Sequence, residues 1–250
     1  MSTGAALEFE GKVALVTGAA GDIGRRTVEH LQHLGCRIVA EDIKGEVQAL
    51  AQPGRIACVL GDIREEVTAQ RAVATAVSEY GRLDILVNNA GRHLQRPIQE
   101  TTAADWDDVL ATNARGTFLH CREALRVMSP RRSGSIVNVA SISGVVGIAG
   151  QVAYAASKGA IIQITRTLAI EFAASGIRVN AVAPGAVVTG FLGDSVPDSR
   201  ALLESFGAHH PIGRSAQPEE IAAVIAFLAS DRSSFITGAV LMADGGYTAA

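Results

Sequence analysis

The sequence predicts a single α/β domain built on a doubly wound parallel sheet of the Rossmann type, with helices on both faces. Short, nearly continuous apolar runs alternate with longer segments of helical periodicity along the 250 residues. No linker, low-complexity segment or internal repeat interrupts the alternation. Because strands and helices that alternate in this way form right-handed crossovers, we expect one layered domain over residues 1–250.

The predicted elements follow one another in the order that this fold requires. Runs rich in β-branched residues predict strands at Val13–Val16, Arg37–Glu41, Ile56–Leu60, Ile85–Val87, Ser135–Val139, Arg178–Val182 and Ala239–Met242. Helical patterns cover 23–34, 65–80, 103–128, 152–174 and 217–229. The segment 190–215 is irregular and contains Gly193, Pro197, Pro211 and Gly213. A long irregular segment after a strand end favours a substrate lid.

Composition and charge argue against several classes of function. The net charge is -3 without a basic cluster, so we expect no nucleic-acid partner. The apolar runs are too short to cross a membrane, and the first ten residues do not resemble a signal peptide. Cys36, Cys58 and Cys121 lack metal-ligand spacing, as do the histidines. We therefore expect no metal, reduced thiols and a cytoplasmic location.

A glycine-rich turn from Thr17 to Gly24 follows the first predicted strand and precedes a helix. Glycines let the backbone approach a pyrophosphate, and the free N–H groups of the helix N-terminus then bind it. On this interpretation, Gly18, Gly21 and Gly24 belong to a dinucleotide site. A tight turn that binds no ligand has the same pattern, so the glycines alone do not decide between these interpretations.

Two aspartates follow the next strands of the predicted sheet. Asp42 ends the second strand, where a carboxylate accepts hydrogen bonds from the adenosine ribose of NAD. An exposed carboxylate without a ligand is the alternative. Asp62 follows the third strand and either meets the adenine amino group or caps the next helix.

Four residues form a candidate reacting group. Tyr154 and Lys158 are four residues apart on a predicted helix, so they share one face, and a lysine ammonium lowers a tyrosine pKa. Ser141 ends a strand at the ligand-binding edge. Asn113, close to Gly116, marks a local helix irregularity that a water can bridge. A helix-surface pair, a strand-end turn and a buried amide are the structural alternatives.

Together these residues resemble the short-chain dehydrogenase/reductase family, from Lys12 to Tyr247. The motifs occur in the family's order: the Thr17 to Gly24 turn, Asp62, Asn88-Asn89-Ala90-Gly91, Asn113, Ser141, Tyr154 with Lys158, Pro184-Gly185, Thr189, and Asp244-Gly245-Gly246. One position departs from the family. Asp22 stands where the family turn usually has glycine, and we interpret it as the N-cap of the first helix.

The resemblance implies a role for each reacting residue. Tyr154 is the general acid/base, Ser141 holds the substrate oxygen, and Lys158 lowers the tyrosine pKa and binds the nicotinamide ribose. Asn113 holds a water in a proton relay from Lys158. The remaining residues expected at the cofactor are Asp22, Ile23, Ile63, Asn89, Ala90, Gly91, Pro184, Gly185, Val187 and Thr189.

The sequence thus predicts an oxidoreductase that uses NAD to interconvert a secondary alcohol and a ketone. Candidate substrate contacts favour a polyol, sugar or hydroxy acid: Arg92, His93, Ser143, Gln151 and Phe191. One alternative is an NADPH-dependent 3-oxoacyl-thioester reductase, which Lys44 keeps open; another is a non-catalytic dinucleotide sensor. Small apolar residues on 103–128 and 152–174, with the apolar run 239–243, predict a homotetramer, as the family resemblance also does.

Overall fold

The computed structural model describes residues 7–193 and 198–249. In these residues seven parallel strands form one sheet with the order β3-β2-β1-β4-β5-β6-β7. The strands are β1 Val13–Thr17, β2 Arg37–Asp42, β3 Ile56–Leu60, β4 Ile85–Asn88, β5 Gly134–Val139, β6 Ile177–Pro184 and β7 Val240–Ala243. The predicted Rossmann-type fold is confirmed, and each strand end lies within two residues of its prediction.

The helices lie between the strands in the chain. They are α1 Asp22–His33, α2 Glu66–Tyr80, α3 Ala103–Leu110, α4 Gly116–Met128, α5 Val152–Phe172, α6 Ser199–Ser205 and α7 Pro218–Ala229. The predicted helix 103–128 is two helices joined by a π-helical turn at Ala111–Arg115, which contains Asn113. None of the helices in the described part of the chain is long and apolar enough to cross a membrane.

Alternate residues of each strand point to opposite sides of the sheet, and both faces are buried because helices cover them. Ala14 and Val16 of β1 pack with residues of α1 and α7 on one face. Val13 and Leu15 pack with α2 and α4 on the other. Every residue of β1 is buried, which explains why the strand is a continuous apolar run and not an alternating one.

The segment 190–215 was predicted to be irregular, but part of it is helical. It contains α6 and a short 3₁₀ turn at Phe206–His209. The N-cap Asp198 accepts a hydrogen bond from the Ala201 N–H, and such a cap stabilises a short helix. Pro197 and residues 1–6, to which sequence predictions also applied, lie outside the described residues.

Candidate active site

The strand order reverses between β1 and β4, and a cleft of about 1010 Å³ opens at the carboxyl ends of the strands there. Open α/β sheets bind their ligands in such a crevice. Three of the four predicted catalytic residues and nearly all predicted cofactor residues line this cleft, and the fourth, Asn113, lies against its wall at Gly91. Among the residues lining the cleft are Gly18, Asp42, Asp62, Ser141, Tyr154, Lys158 and Thr189.

The glycine turn is built so closely that side chains do not fit. Gly18 has φ +64°, and a Cβ on it would lie 2.8 Å from the Cα of Ala90. A Cβ on Gly24 would lie 2.0 Å from the Gly18 carbonyl oxygen. Asn89 fixes the turn by donating its side-chain N–H groups to the carbonyls of Thr17 and Gly18, at 3.0 and 3.1 Å. A backbone exposed in this way at the start of α1 fits the pyrophosphate of a dinucleotide.

The sequence predicted that Asp22 is the N-cap of α1, and this prediction is wrong. Gly21 is the N-cap, without a side-chain hydrogen bond, and Asp22 is the first helical residue. Its carboxylate points to the segment after β6, where it accepts the Gly190 N–H at 2.8 Å and pairs with Arg200 at 2.5 Å. Burial raises the Asp22 pKa, but the Gly190 N–H and the Arg200 guanidinium outweigh this effect and hold it below its ordinary value.

The end of β2 carries two acidic residues with different surroundings. Asp42 accepts backbone N–H groups from Ala20 and Lys44, each at 2.9 Å, so its carboxylate is held at the rim of the cleft. Glu41 is 1% exposed and bonds to the buried His120 imidazole at 2.8 Å. The negative charge of Glu41 is therefore matched within the fold.

Asp62 is bound mainly by Arg64. Its two oxygens accept the Arg64 Nε and Nη2 groups, at 2.8 and 2.6 Å from Oδ2, and the Arg64 backbone N–H at 2.9 Å from Oδ1. This guanidinium and N–H lower the Asp62 pKa, although burial opposes them. The helix-cap alternative is wrong, since Glu65 is the N-cap of α2. Neighbouring Ile63 packs over Gly116, where a Cβ would come within 2.7 Å of it.

Tyr154 and Ser141 face each other inside the cleft. Both are buried, at 7% and 8% exposure, and both line the cleft. Burial raises the Tyr154 pKa to about 12, and the Ser141 hydroxyl only partly opposes this. Lys158 is not among the groups that shift this pKa, so the predicted lowering of the Tyr154 pKa by Lys158 is not seen in the protein alone.

Lys158 lies beneath the tyrosine ring, with Nζ 5.6 Å from the ring centroid. Its ammonium group donates to the Val139 carbonyl at 2.8 Å, which fixes the side chain against the end of β5. Burial lowers the Lys158 pKa to about 8. A group with this pKa gains and loses its proton close to neutral pH, as a proton relay requires.

Asn113 occupies the π-helical turn and is fully buried. Its Oδ1 accepts the Arg92 N–H at 2.7 Å, and its Nδ2 donates to the Arg92 carbonyl and to Ser157 Oγ, each at 2.9 Å. Both N–H groups are thereby occupied. A relay water at Asn113 must therefore bond to an oxygen atom of this residue.

The wall above Tyr154 is aromatic. The His93 ring centroid lies 4.9 Å from that of Tyr154, and the Phe191 centroid lies 6.3 Å from it. Burial, helped by Lys158, lowers the His93 pKa to about 4, so this imidazole is neutral at physiological pH. Nearby, Ser143 donates to Gln151 Oε1 at 2.7 Å.

The last residue of β6, Pro184, and the loop after it, with Gly185, Val187 and Thr189, supply the opposite wall. His210 supports it from behind. Its Nε2 accepts the Ala186 N–H at 3.1 Å, while its Nδ1 contacts the Phe206 carbonyl at 3.0 Å. Through these two contacts the His210 imidazole positions the loop. His209, in contrast, is exposed.

Two residue pairs of the site were not predicted from the sequence. Arg200 partners Asp22 across 178 positions, and His120 partners Glu41 across 79. The only signal for the first was Asp22 itself, a carboxylate where a pyrophosphate is expected. A histidine inside an apolar helical pattern was the only signal for the second.

Comparisons with known proteins agree with this geometry. Residues 18–248 match the family model described as Enoyl-(Acyl carrier protein) reductase. The chain is 44% identical over 247 residues to cis-4-hydroxycyclohexanecarboxylate dehydrogenase of Sinomonas cyclohexanicum, covering 96% of this chain and 98% of that protein. It is 39% identical over 246 residues to 3-oxoacyl-(acyl-carrier-protein) reductase of Thermotoga maritima, covering 96% and 99%. The crystal structure of levodione reductase superposes with a TM-score of 0.90 at 35% identity, covering 97% and 99%.

The fold, the cleft and these similarities define an oxidoreductase that uses a nicotinamide dinucleotide, NAD or NADP. The chain belongs to the short-chain dehydrogenase/reductase family, as the resemblance implied, and it interconverts an alcohol and a ketone.

Proposed function

We propose that Tyr154 is the general acid/base of this enzyme and that Ser141 holds the substrate oxygen beside it. The observation that carries the proposal is that Tyr154 and Ser141 are both buried and both line the cleft, with the Lys158 ammonium 5.6 Å from the centre of the tyrosine ring. Both residues line the cleft, and one substrate oxygen bound between them would contact both hydroxyls. Donors placed in this way stabilise a developing alkoxide.

In alcohol oxidation, the Tyr154 phenolate takes the hydroxyl proton while Ser141 donates a hydrogen bond to the same oxygen. In reduction, the Tyr154 hydroxyl returns the proton to the developing alkoxide. A bound oxidised nicotinamide would supply the hydride acceptor and a positive charge that favours the phenolate. Lys158 and Asn113 then connect the tyrosine to solvent through an ordered water.

NAD is the preferred cofactor in this proposal. Asp42 supports the preference because its carboxylate is held at the rim of the cleft by two backbone N–H groups. A carboxylate there accepts ribose hydroxyls and repels a 2′-phosphate. Ile23 and Ile63 would flank the cofactor, Ala90 and Gly91 would line its ribose, and Val187 and Thr189 would hold its carboxamide.

The proposed substrate is a secondary alcohol with a second polar group, such as a polyol, a sugar or a hydroxy acid. Neutral His93 and the Ser143–Gln151 pair offer hydrogen bonds, and Phe191 offers an apolar ring. Arg92 pairs with Asp108 at the rim. The Sinomonas relative, by its name, acts on a cyclic hydroxy acid. The described parts of 190–215 would form the lid over this substrate.

The test measures the absorbance of NADH or NADPH formed from NAD or NADP with a panel of secondary alcohols: cyclohexanol, 4-hydroxycyclohexanecarboxylate, a tetritol and a 3-hydroxyacyl thioester. We expect turnover of a cyclic alcohol or polyol with NAD. Exclusive use of NADP with the thioester would instead support the acyl-thioester reductase. Dinucleotide binding without turnover of any alcohol or ketone would contradict the roles proposed for Tyr154 and Ser141.

We also propose a homotetramer. Phe118 of α4 and Ile170 of α5 are 48% and 84% exposed, and a groove of about 510 Å³ lies between these helices. Large apolar side chains on one surface favour association. Ala169, one of the small apolar residues of the predicted helix 152–174, is buried inside the protomer at 2% exposure and takes no part. Light scattering at micromolar concentration tests the assembly.

A cytoplasmic location is also proposed, because all three cysteines are free thiols.

A further inference from the structure

An ion pair joins the glycine turn to α6. The carboxylate of Asp22, the first residue of α1, binds the Arg200 guanidinium at 2.5 Å and the Gly190 N–H at 2.8 Å. All three residues line the cleft. The pair therefore lies at the helix end whose free N–H groups are proposed to bind the cofactor pyrophosphate.

This carboxylate is in an unusual place for a dinucleotide site. A negative side chain at a helix N-terminus is stabilised by the helix dipole when no anion is bound. A pyrophosphate brings negative charge to the same helix end, and like charges repel. Asp22 is compatible with such a ligand only if its charge is compensated nearby.

Arg200 supplies that compensation. Its guanidinium contacts one carboxylate oxygen directly, and the Gly190 N–H holds the other, so both oxygens are bound by the segment after β6. Of the two cations that lower the Asp22 pKa, Lys44 has the smaller effect. Removal of Arg200 would leave a largely uncompensated negative charge at the start of α1.

We infer that Arg200 is a positioning residue of the cofactor site, which acts by neutralising and orienting Asp22 beside the pyrophosphate. The inference rests on the proposed dinucleotide site and extends it to α6, a helix that no cofactor motif includes. Arg200 acts through Asp22 and not as a phosphate ligand. Its importance therefore depends on whether residue 22 carries a charge.

This dependence can be tested by isothermal titration calorimetry of NADH and of NADPH with the wild-type protein, Arg200→Ala, Asp22→Asn and the double variant. Asparagine keeps an oxygen for the Gly190 N–H but removes the charge. We expect Arg200→Ala to weaken both cofactors by the same factor, between about 3- and 30-fold. In the Asp22→Asn background, the same change should alter the Kd by less than about twofold.

Arg214→Ala is the matched control. Arg214 pairs with Glu220, and its side chain is 54% exposed, against 55% for Arg200, but it does not line the cleft. We expect its Kd values to equal those of the wild type. Thermal unfolding of each variant checks that the fold is retained.

Three results would count against the inference. Unchanged NADH binding in Arg200→Ala would overturn it while leaving the proposed function intact. An equal loss in the Asp22→Asn background would overturn it in favour of a direct phosphate contact. If wild type bound neither dinucleotide, the proposed function would fail, and the inference with it.

Discussion

The two sides of the cleft differ in how they hold their polar groups. At the ends of β1, β2 and β3, Asp22, Asp42 and Asp62 are each bound by a guanidinium or by backbone N–H groups. At the end of β5 and the start of α5, Tyr154 and Lys158 are buried with few partners. Charge compensation governs the first side, and desolvation governs the second.

The pKa values show the same division. Partner groups outweigh burial at Asp22 and Asp62 and hold both pKa values low, so these carboxylates stay charged. At Tyr154 and Lys158 burial dominates, raising one pKa to about 12 and lowering the other to about 8. The first side thus has the character of a binding surface, whereas the second favours uncharged forms and has the character of a site for proton transfer.

The largest expected effect is on the second side. Tyr154→Phe should lower kcat for alcohol oxidation by about two to four powers of ten, the usual contribution of general acid/base catalysis. Because the phenolate is the base and burial raises its pKa, wild-type kcat/KM should rise with pH through the alkaline range. The residual activity of the variant should lack this rise. Steady-state kinetics between pH 6 and 10 measure both effects.

Tyr80→Phe is the control, since Tyr80 ends α2 and contacts Arg37 away from the cleft. Its kinetics should match the wild type. If Tyr154→Phe kept more than about a tenth of the wild-type rate, the proposed acid/base role would be wrong.

The two sides also differ in how far the sequence alone predicts them. The catalytic side follows from local spacing, because Tyr154 and Lys158 share a helix face and Ser141 follows closely after the preceding strand, β5. The ion pairs of the cofactor side do not follow from local spacing. Arg200 and Asp22, for example, meet only because the segment after β6 packs against α1. The direction in which the Tyr154 pKa shifts could not be predicted from the sequence either, because burial is a property of the folded protein.

A buried ion pair beneath the first side gives the next prediction. His120→Ala leaves the Glu41 carboxylate, 1% exposed, without its partner. Breaking a buried pair by removing one member costs about 3–5 kcal/mol of unfolding free energy. Arg126→Ala is the control, because Arg126 is 60% exposed in its pair with Glu123 and should cost less than about 1 kcal/mol. Urea unfolding measures both.

The destabilisation should also depend on pH. Burial lowers the His120 pKa, but the charges of Glu41 and, more weakly, Glu123 outweigh it, so the folded pKa is raised above 6.5. A raised pKa contributes stability that is complete below the ordinary value and is lost as pH rises through the folded value. The stability difference between wild type and His120→Ala should therefore shrink from pH 6 to pH 9. A difference that grew with pH would contradict the charged pair.

The smallest expected effect concerns cofactor choice on the first side. Two unit charges about 4 Å apart repel by roughly 4 kcal/mol at an effective dielectric of about 20. A 2′-phosphate beside Asp42 would meet such repulsion, and even a third of it is about a tenfold preference for NAD. The Ala20 and Lys44 N–H groups limit how far the carboxylate can move away. Asp42→Ala should therefore weaken NAD use, relieve the NADP repulsion and lower the NAD-to-NADP ratio of kcat/KM by about tenfold.

Asp62→Ala distinguishes this effect from a general loss of negative charge. The Asp62 carboxylate is bound by Arg64, so its removal should leave the cofactor ratio within about twofold of the wild type. Glu41 adds no free charge to the comparison, because His120 holds it inside the fold. If the wild type preferred NADP, or if Asp42→Ala and Asp62→Ala moved the ratio equally, Asp42 would not be the residue that reads the ribose. Charge compensation would then hold for the aspartates of this side without deciding which cofactor is used.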